Sequence, residues 1–181
     1  NVRRMNQPPA LTDLAALARH RARARALPGH HDALFLHRLA LADLEERLNE
    51  VNRRFTLPAV VTGFPEIFAG WPQAKIVQDY DIIALEPVAH DLVVHFMSLH
   101  WANDPVGHLV QCRRALKPDG LCLVVLPGGR SLRELRTALA EAEAAVTGGL
   151  SPRVVPMGEI RDLGALMQRA GFALPVADTL V

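Results

Sequence analysis

Cysteine is scarce in this chain, with two residues in 181. They do not form a C-x-x-C pair, so the usual cysteine spacing of a metal site is excluded. Cys112 falls in a helical pattern and Cys122 in an apolar run, positions that read as buried thiols in a reducing, cytoplasmic setting. No hydrophobic run approaches the ~18 residues that a membrane span requires. No secretory leader is visible, and Asn1 to Arg4, ahead of Met5, are left out of the fold argument. An excess of charge of either sign is also lacking: the formal net charge is +1, which supplies no global field for nucleic acid.

Apolar residues, by contrast, fill 50% of the positions, enough for one domain with a real core. The most informative stretch is DLVVHFMSLHWANDPVGHLVQCRRALKPDG, Asp91 to Gly120. Its opening run to Met97 is short and β-branched at its centre, which predicts a strand buried on both faces. Asn103 or Asp104 then caps a helix, Pro105 suits its first turn, and Val106, Leu109, Val110 and Leu116 recur at helical spacing. Lys117-Pro118-Asp119-Gly120 ends it, and Leu121 to Leu126 reads as a second buried strand. Two such strands joined by an amphipathic helix pair in parallel, as in doubly wound α/β sheets, where ligands bind beyond the carboxyl ends of the strands. His95 to Trp101 would occupy that rim.

Upstream, Leu11 to Leu27 is expected to be a helix capped by Thr12 and ended by Pro28-Gly29. The period-two run Arg21-Ala-Arg-Ala-Arg25 spreads its arginines around that helix, so they are expected to be a solvated surface, with a contact to nucleic acid or anionic lipid as the alternative. Asp32 to Phe55 is a stronger helix, with Leu41, Leu44, Leu48, Val51 and Phe55 on one face. His30, His31 and His37 near its start read as surface histidines, since no further ligands accompany them. Leu57 to Thr62 predicts a first strand ended by Gly63, Phe64 to Ala69 a short helix, Lys75 to Gln78 a second strand before Asp79, and Asp81 to Leu85 a brief third. Beyond Leu126, Ser131 with Glu134 forms a capping box for a helix carrying Leu132, Leu135, Leu139, Ala142 and Val146. Glu159 to Ala170 is another helix, and Phe172 to Val181 reads as a last strand.

The stretches DLVVHFMSLHWANDP (91 to 105), RRALKPDGLCLVV (113 to 125), LRELRTALAEAEAAVTGGLSPRV (132 to 154) and EIRDLGALMQRAGF (159 to 172) resemble the type 11 group of class I S-adenosylmethionine-dependent methyltransferases. The likeness is to the branch similar to the biotin-synthesis malonyl-carrier methyltransferase and to mitochondrial complex I assembly factor 5. Helix LEERLNEVNRRF (44 to 55) joins it, and Gly-Gly-Leu-Ser-Pro points to the assembly-factor side, which looks like an arginine hydroxylase acting on a complex I subunit. The resemblance implies a Rossmann-like methyltransferase sheet with a shortened first half (57 to 181), preceded by a helical segment (1 to 56). Its final antiparallel strand would follow Val181, which implies either an exposed sheet edge or pairing of that edge with another chain, as in a homodimer.

In the resembled family an acid and a glycine-rich turn after the first strand hold the cofactor. Laying Arg54-Phe55 on the family's matching pair puts Val60 at the acid and Thr62, Phe64 and Glu66 at the three glycines, so the cofactor loop is degenerate and Gly63 lies outside the register. Asp79 matches the ribose-binding acid, with a solvated turn aspartate as the alternative. The implied cofactor set is Thr62, Gly63, Asp79, His95, Phe96 and Met97. His100 and Trp101 are candidate catalytic residues, His100 as a general base, or else packing for the start of the next helix. The expected function is that of an S-adenosylmethionine-dependent methyltransferase with an unnamed small-molecule or protein acceptor. The alternatives are a cofactor-free binding module in respiratory complex I assembly, or an arginine hydroxylase of the assembly-factor type.

Overall fold

A computed structural model describes residues 10–151, 153–154 and 157–179. The chain divides into two compact units, Asn1–Leu126 and Pro127–Val181.

The first unit is built on four parallel strands: β1 (Pro58–Thr62), β2 (Lys75–Val77), β3 (His90–Phe96) and β4 (Leu116–Val125), in the spatial order β2-β1-β3-β4. Val60, Val61, Val93 and Val94 have no exposed surface, as β-branched residues buried on both faces of a parallel sheet should. The chain runs from β1 outward to β2, then back past β1 to β3. That reversal makes the carboxyl ends of β1 and β3 the switch point where ligands bind in open α/β sheets.

Helices α1 (Leu14–Arg25), α2 (His30–Ala33) and α3 (Phe35–Glu50) precede the sheet, and α4 (Pro105–Ala115) joins β3 to β4. Leu44 of α3 is 1% exposed and clusters with Val60, Phe68, Leu92, Val94 and Phe96, with Leu41 and Leu48 packed alongside. Each such fully buried aliphatic side chain contributes about 1.5–3 kcal/mol. By strand alternation Val61, Val93 and His95 face the other way. On that side α4 buries His108, Leu109, Cys112 and Ala115.

Several boundaries differ from the sequence expectation. Asp13, not Thr12, caps α1, its Oδ1 accepting from the Ala16 N–H at 2.9 Å. Thr12 instead exchanges hydrogen bonds with Asn103, N–H to Oδ1 at 2.8 Å and carbonyl from Nδ2 at 3.2 Å. That leaves Asp104 to cap α4 through the Gly107 N–H at 2.8 Å. The expected helix from Asp32 to Phe55 is α2 plus α3 and stops at Glu50. Asp81 to Leu85 forms no strand, because its backbone is claimed by a side chain: Gln111 accepts from the Ile83 N–H at 2.8 Å and donates to the Asp81 carbonyl at 2.9 Å. Lys117 to Gly120 is a bulge at the start of β4, the pairing stepping from His90–Leu116 to Leu92–Leu121.

The second unit carries α5 (Arg133–Thr147) and α6 (Ile160–Arg169). Ser131 does not cap α5. Its hydroxyl donates back to the Gly128 carbonyl at 2.8 Å, and Leu132 takes the cap position at φ 57°. Gly171, at φ 86°, ends the turn after α6. The expected last strand is irregular over residues 172–179, and its end, Leu180 and Val181, lies outside the described residues.

Candidate functional site: the carboxyl ends of β1 and β2

β1 ends at Thr62, whose buried hydroxyl accepts from the Phe64 N–H at 3.1 Å. Gly63 and Phe64 follow, and Asp79 stands just past β2. All three meet α1. The Arg21 guanidinium grips the Asp79 carboxylate as a fork, Nη1 to Oδ1 and Nη2 to Oδ2, each at 2.8 Å, with only 13% of the arginine side chain and 4% of the aspartate exposed. Such a two-point charged pair is among the stronger polar contacts a protein makes. The same guanidinium fills the space that a Cβ on residue 63 would take, and it lies 5.4 Å from the Phe64 ring centroid. His37 covers Phe64 from α3, ring centroids 4.3 Å apart.

One turn further along α1, Arg25 donates to the Gly63 carbonyl and lies 3.4 Å from Glu66. His30 meets the same Glu66 oxygen at 3.0 Å. Burial pushes the Glu66 carboxyl up, but the bonds from His30, the backbone and Arg25 outweigh it and leave it below the usual range. Arg21 is therefore not part of a solvated helix surface, whereas Arg25 is exposed and yet reaches the same strand end. Their spacing of four places them on one helix face, while Arg19 and Arg23 face solvent. His30 and His37 are likewise drawn inward, and His31 alone of the three is exposed.

The strand-end residues of β3 have other roles in the geometry. His95 is fully buried on the α4 side; its Nε2 is 3.2 Å from His108 Nδ1, and Ser98 Oγ is 3.4 Å from its Nδ1. Burial, then the neighbouring His108, push the His95 pKa down to about 3. Phe96 packs edge-on against Phe68 at 5.0 Å. Met97 is 7% exposed and held at φ 50°, an uncommon conformation for a side-chain-bearing residue. His100 stacks against Trp101, ring centroids 5.0 Å apart. Burial, then the Arg21 charge, lower its pKa to about 4, so it is neutral at pH 7 and a weak proton acceptor. Two buried nitrogens in this region, Arg21 Nε and His100 Nδ1, have no hydrogen-bond partner among the described residues. Elsewhere, a cleft of about 420 Å³ along α6, lined by Ile160, Gly164, Gln168 and Pro175, brings no carboxylate or histidine to its wall. Among the described residues no group of three metal-ligating side chains is gathered, and no helix is long and apolar enough to cross a membrane.

The profile of a methyltransferase domain matches residues 33–124. The arginine-hydroxylase NDUFAF5, mitochondrial, of Mus musculus is 41% identical over 108 residues, 60% of this chain and 32% of that protein. The malonyl-[acyl-carrier protein] O-methyltransferase of Laribacter hongkongensis is 33% identical over 112 residues, 62% and 35%. The alignments thus span about a third of the length of these relatives. Among solved structures, a SAM-dependent methyltransferase of Thermotoga maritima, possibly a histamine N-methyltransferase, superposes with a TM-score of 0.54 at 15% identity, over 80% of this chain and 77% of that one. That likeness is one of fold.

The Arg21 guanidinium donates to both Asp79 oxygens and fills the space beside Gly63, so a ribose at this strand end would have to displace it, and Val60 of β1 is sealed in the core. More than half the chain nevertheless matches the family profile, and the parallel sheet with its switch point carries that match in three dimensions: the chain belongs to the methyltransferase domain family.

Proposed function

We propose that this chain is a methyltransferase-fold binding module that works without S-adenosylmethionine while α1 is docked, and that it acts on a protein partner in respiratory complex I assembly. The observation that carries this reading is the Arg21–Asp79 fork, which commits the acid that the resemblance assigns to a ribose to a contact inside the chain. Similarity to NDUFAF5 supports a protein rather than a metabolite as partner. Cys112 and Cys122 are free thiols, which suits a reducing compartment, one we take to be the cytoplasm.

Titration calorimetry of the wild-type chain with S-adenosylmethionine and S-adenosylhomocysteine should show no heat of binding, and deletion of the gene should lower the amount of assembled complex I on native gels. Binding heat from either compound would overturn the cofactor-free reading, and an unchanged complex I level would remove the proposed role. The second reading, methyl transfer from S-adenosylmethionine with Thr62, Gly63 and Asp79 toward the cofactor and His100 toward the acceptor, is favoured by the position of Gly63 and Asp79 beside the switch point.

A further inference from the structure

We propose that α5 is a docking helix for a second copy of this chain, the two copies pairing antiparallel through Leu135, Leu139, Ala142 and Val146.

The exposure of α5 is the first support. It runs for 15 residues, none of them buried, with Leu135 47% and Val146 83% exposed. A helix of that length is marginal in water by itself and draws its stability from packing an apolar face. Leu135, Leu139, Ala142 and Val146 follow one another at spacings of four, three and four. That is the narrow seam by which two helices pair, as opposed to the broader face of a helix laid on a sheet.

The charges beside the seam say what covers it. On a helix, Arg136 borders one side of this stripe near its start and Glu143 borders the same side near its end, while Ala138 and Ala145 border the other. When two identical helices pair antiparallel, like sides meet, so Arg136 of each copy comes beside Glu143 of the other and alanine meets alanine. In a parallel pair unlike sides meet, and both charges would face alanine. Arg136 is exposed. Glu143 accepts from the Ser151 N–H, the Ser151 hydroxyl and Arg153 of its own chain, and a carboxylate has about four acceptor positions, which leaves one for a second guanidinium. The same register sets Leu135 against Val146 and Leu139 against Ala142, so each larger side chain meets a smaller one. Antiparallel helix dipoles add to the preference.

The first test is sedimentation equilibrium of the whole 181-residue chain between about 5 and 500 µM, where monomer should give way to dimer. Val146→Asp and Leu139→Asp should each weaken the association about a hundredfold or more, because each puts a carboxylate into the seam. Circular dichroism checks that the variants fold. Val146 is the more exposed of the two, so Val146→Asp leaves the single chain intact even if Leu139→Asp does not. Orientation is read by cross-linking with a bismaleimide that spans about 8 Å. Two copies of Ala142→Cys should join, since position 142 lies next to the two-fold axis. Two copies of Val146→Cys should not, since their helix positions lie about 16 Å apart along the axis at 1.5 Å per residue.

A chain that stays monomeric over the whole range overturns the proposal and leaves the stripe to a different protein. A dimer untouched by Val146→Asp overturns the α5 seam and puts the contact on another face, such as the sheet edge. Efficient cross-linking through position 146 overturns the antiparallel order. None of these outcomes depends on whether S-adenosylmethionine binds.

Discussion

Helices α1 and α3 both precede the sheet and both reach it, yet they are attached by different physics. α3 places Leu44 in the core, 1% exposed, with Leu41 and Leu48 against the same cluster. α1 has no fully buried residue; Leu14 and Leu17 are half-buried, and the helix holds on mainly through a forked arginine, a second arginine and an asparagine–threonine exchange. Hydrophobic attachment is non-directional and scales with area, so α3 is part of the fold. Polar attachment is directional and exchangeable with water, so α1 is part of the site.

The sharpest way to break the contrast is to truncate one anchor of each helix and measure urea unfolding. Leu44→Ala should destabilise by about 2–5 kcal/mol, the range for a large-to-small change in a closed core. Arg21→Ala should cost less in global stability, no more than ~2 kcal/mol, because α1 can lift and let water reach Asp79 instead of stranding its charge. Its larger effect is local, as faster amide hydrogen exchange over Leu14–Arg25. A global loss equal to that of Leu44→Ala would show that α1 belongs to the same cooperative unit as α3.

Acid probes the frame independently of α1. The His95 pKa is lowered from 6.5 to about 3 in the folded chain, so the unfolded chain binds the proton more readily between those values. The stabilisation is complete above pH 6.5 and is lost as pH falls toward 3. Between pH 7.5 and 5 His95 should contribute a loss of stability equivalent to about 2 kcal/mol, on top of that from His100, whose pKa is also lowered, so His95→Gln should reduce the slope without abolishing it. An unchanged midpoint at pH 5 would mean that His95 is reached by solvent. The smallest expected effect is that of Arg25→Ala. Its partner Glu66 is partly exposed, so global stability should move by less than ~1 kcal/mol, while exchange in the last turn of α1 rises.

The sheet was legible because buried parallel strands leave local marks: Leu92-Val93-Val94 and Leu123-Val124-Val125 are apolar runs of strand length on either side of an amphipathic helix. The Asp81 to Leu85 run misled for the same reason, since apolar content cannot reveal that Gln111 takes the backbone groups a strand would use. At the site, Asp79 and Gly63 were found from their places after β2 and β1. Arg21, Arg25 and His30 were missed. A signal was present, since a run of alternating arginines sets positions 21 and 25 four apart on one face, but nothing nearby in sequence says which face is covered.

The order of strand, helix and strand was determined by the sequence alone, and with it the parallel sheet, because burial periodicity is a local property of the chain. The partner of Asp79 was decided only in three dimensions. Arg21 lies 58 positions away in sequence, and the pairing depends on where α1 comes to rest against the ends of β1 and β2. An aspartate at a strand end accepts a ribose, a solvent molecule or a guanidinium equally well by composition, and the docking of one helix chose among them.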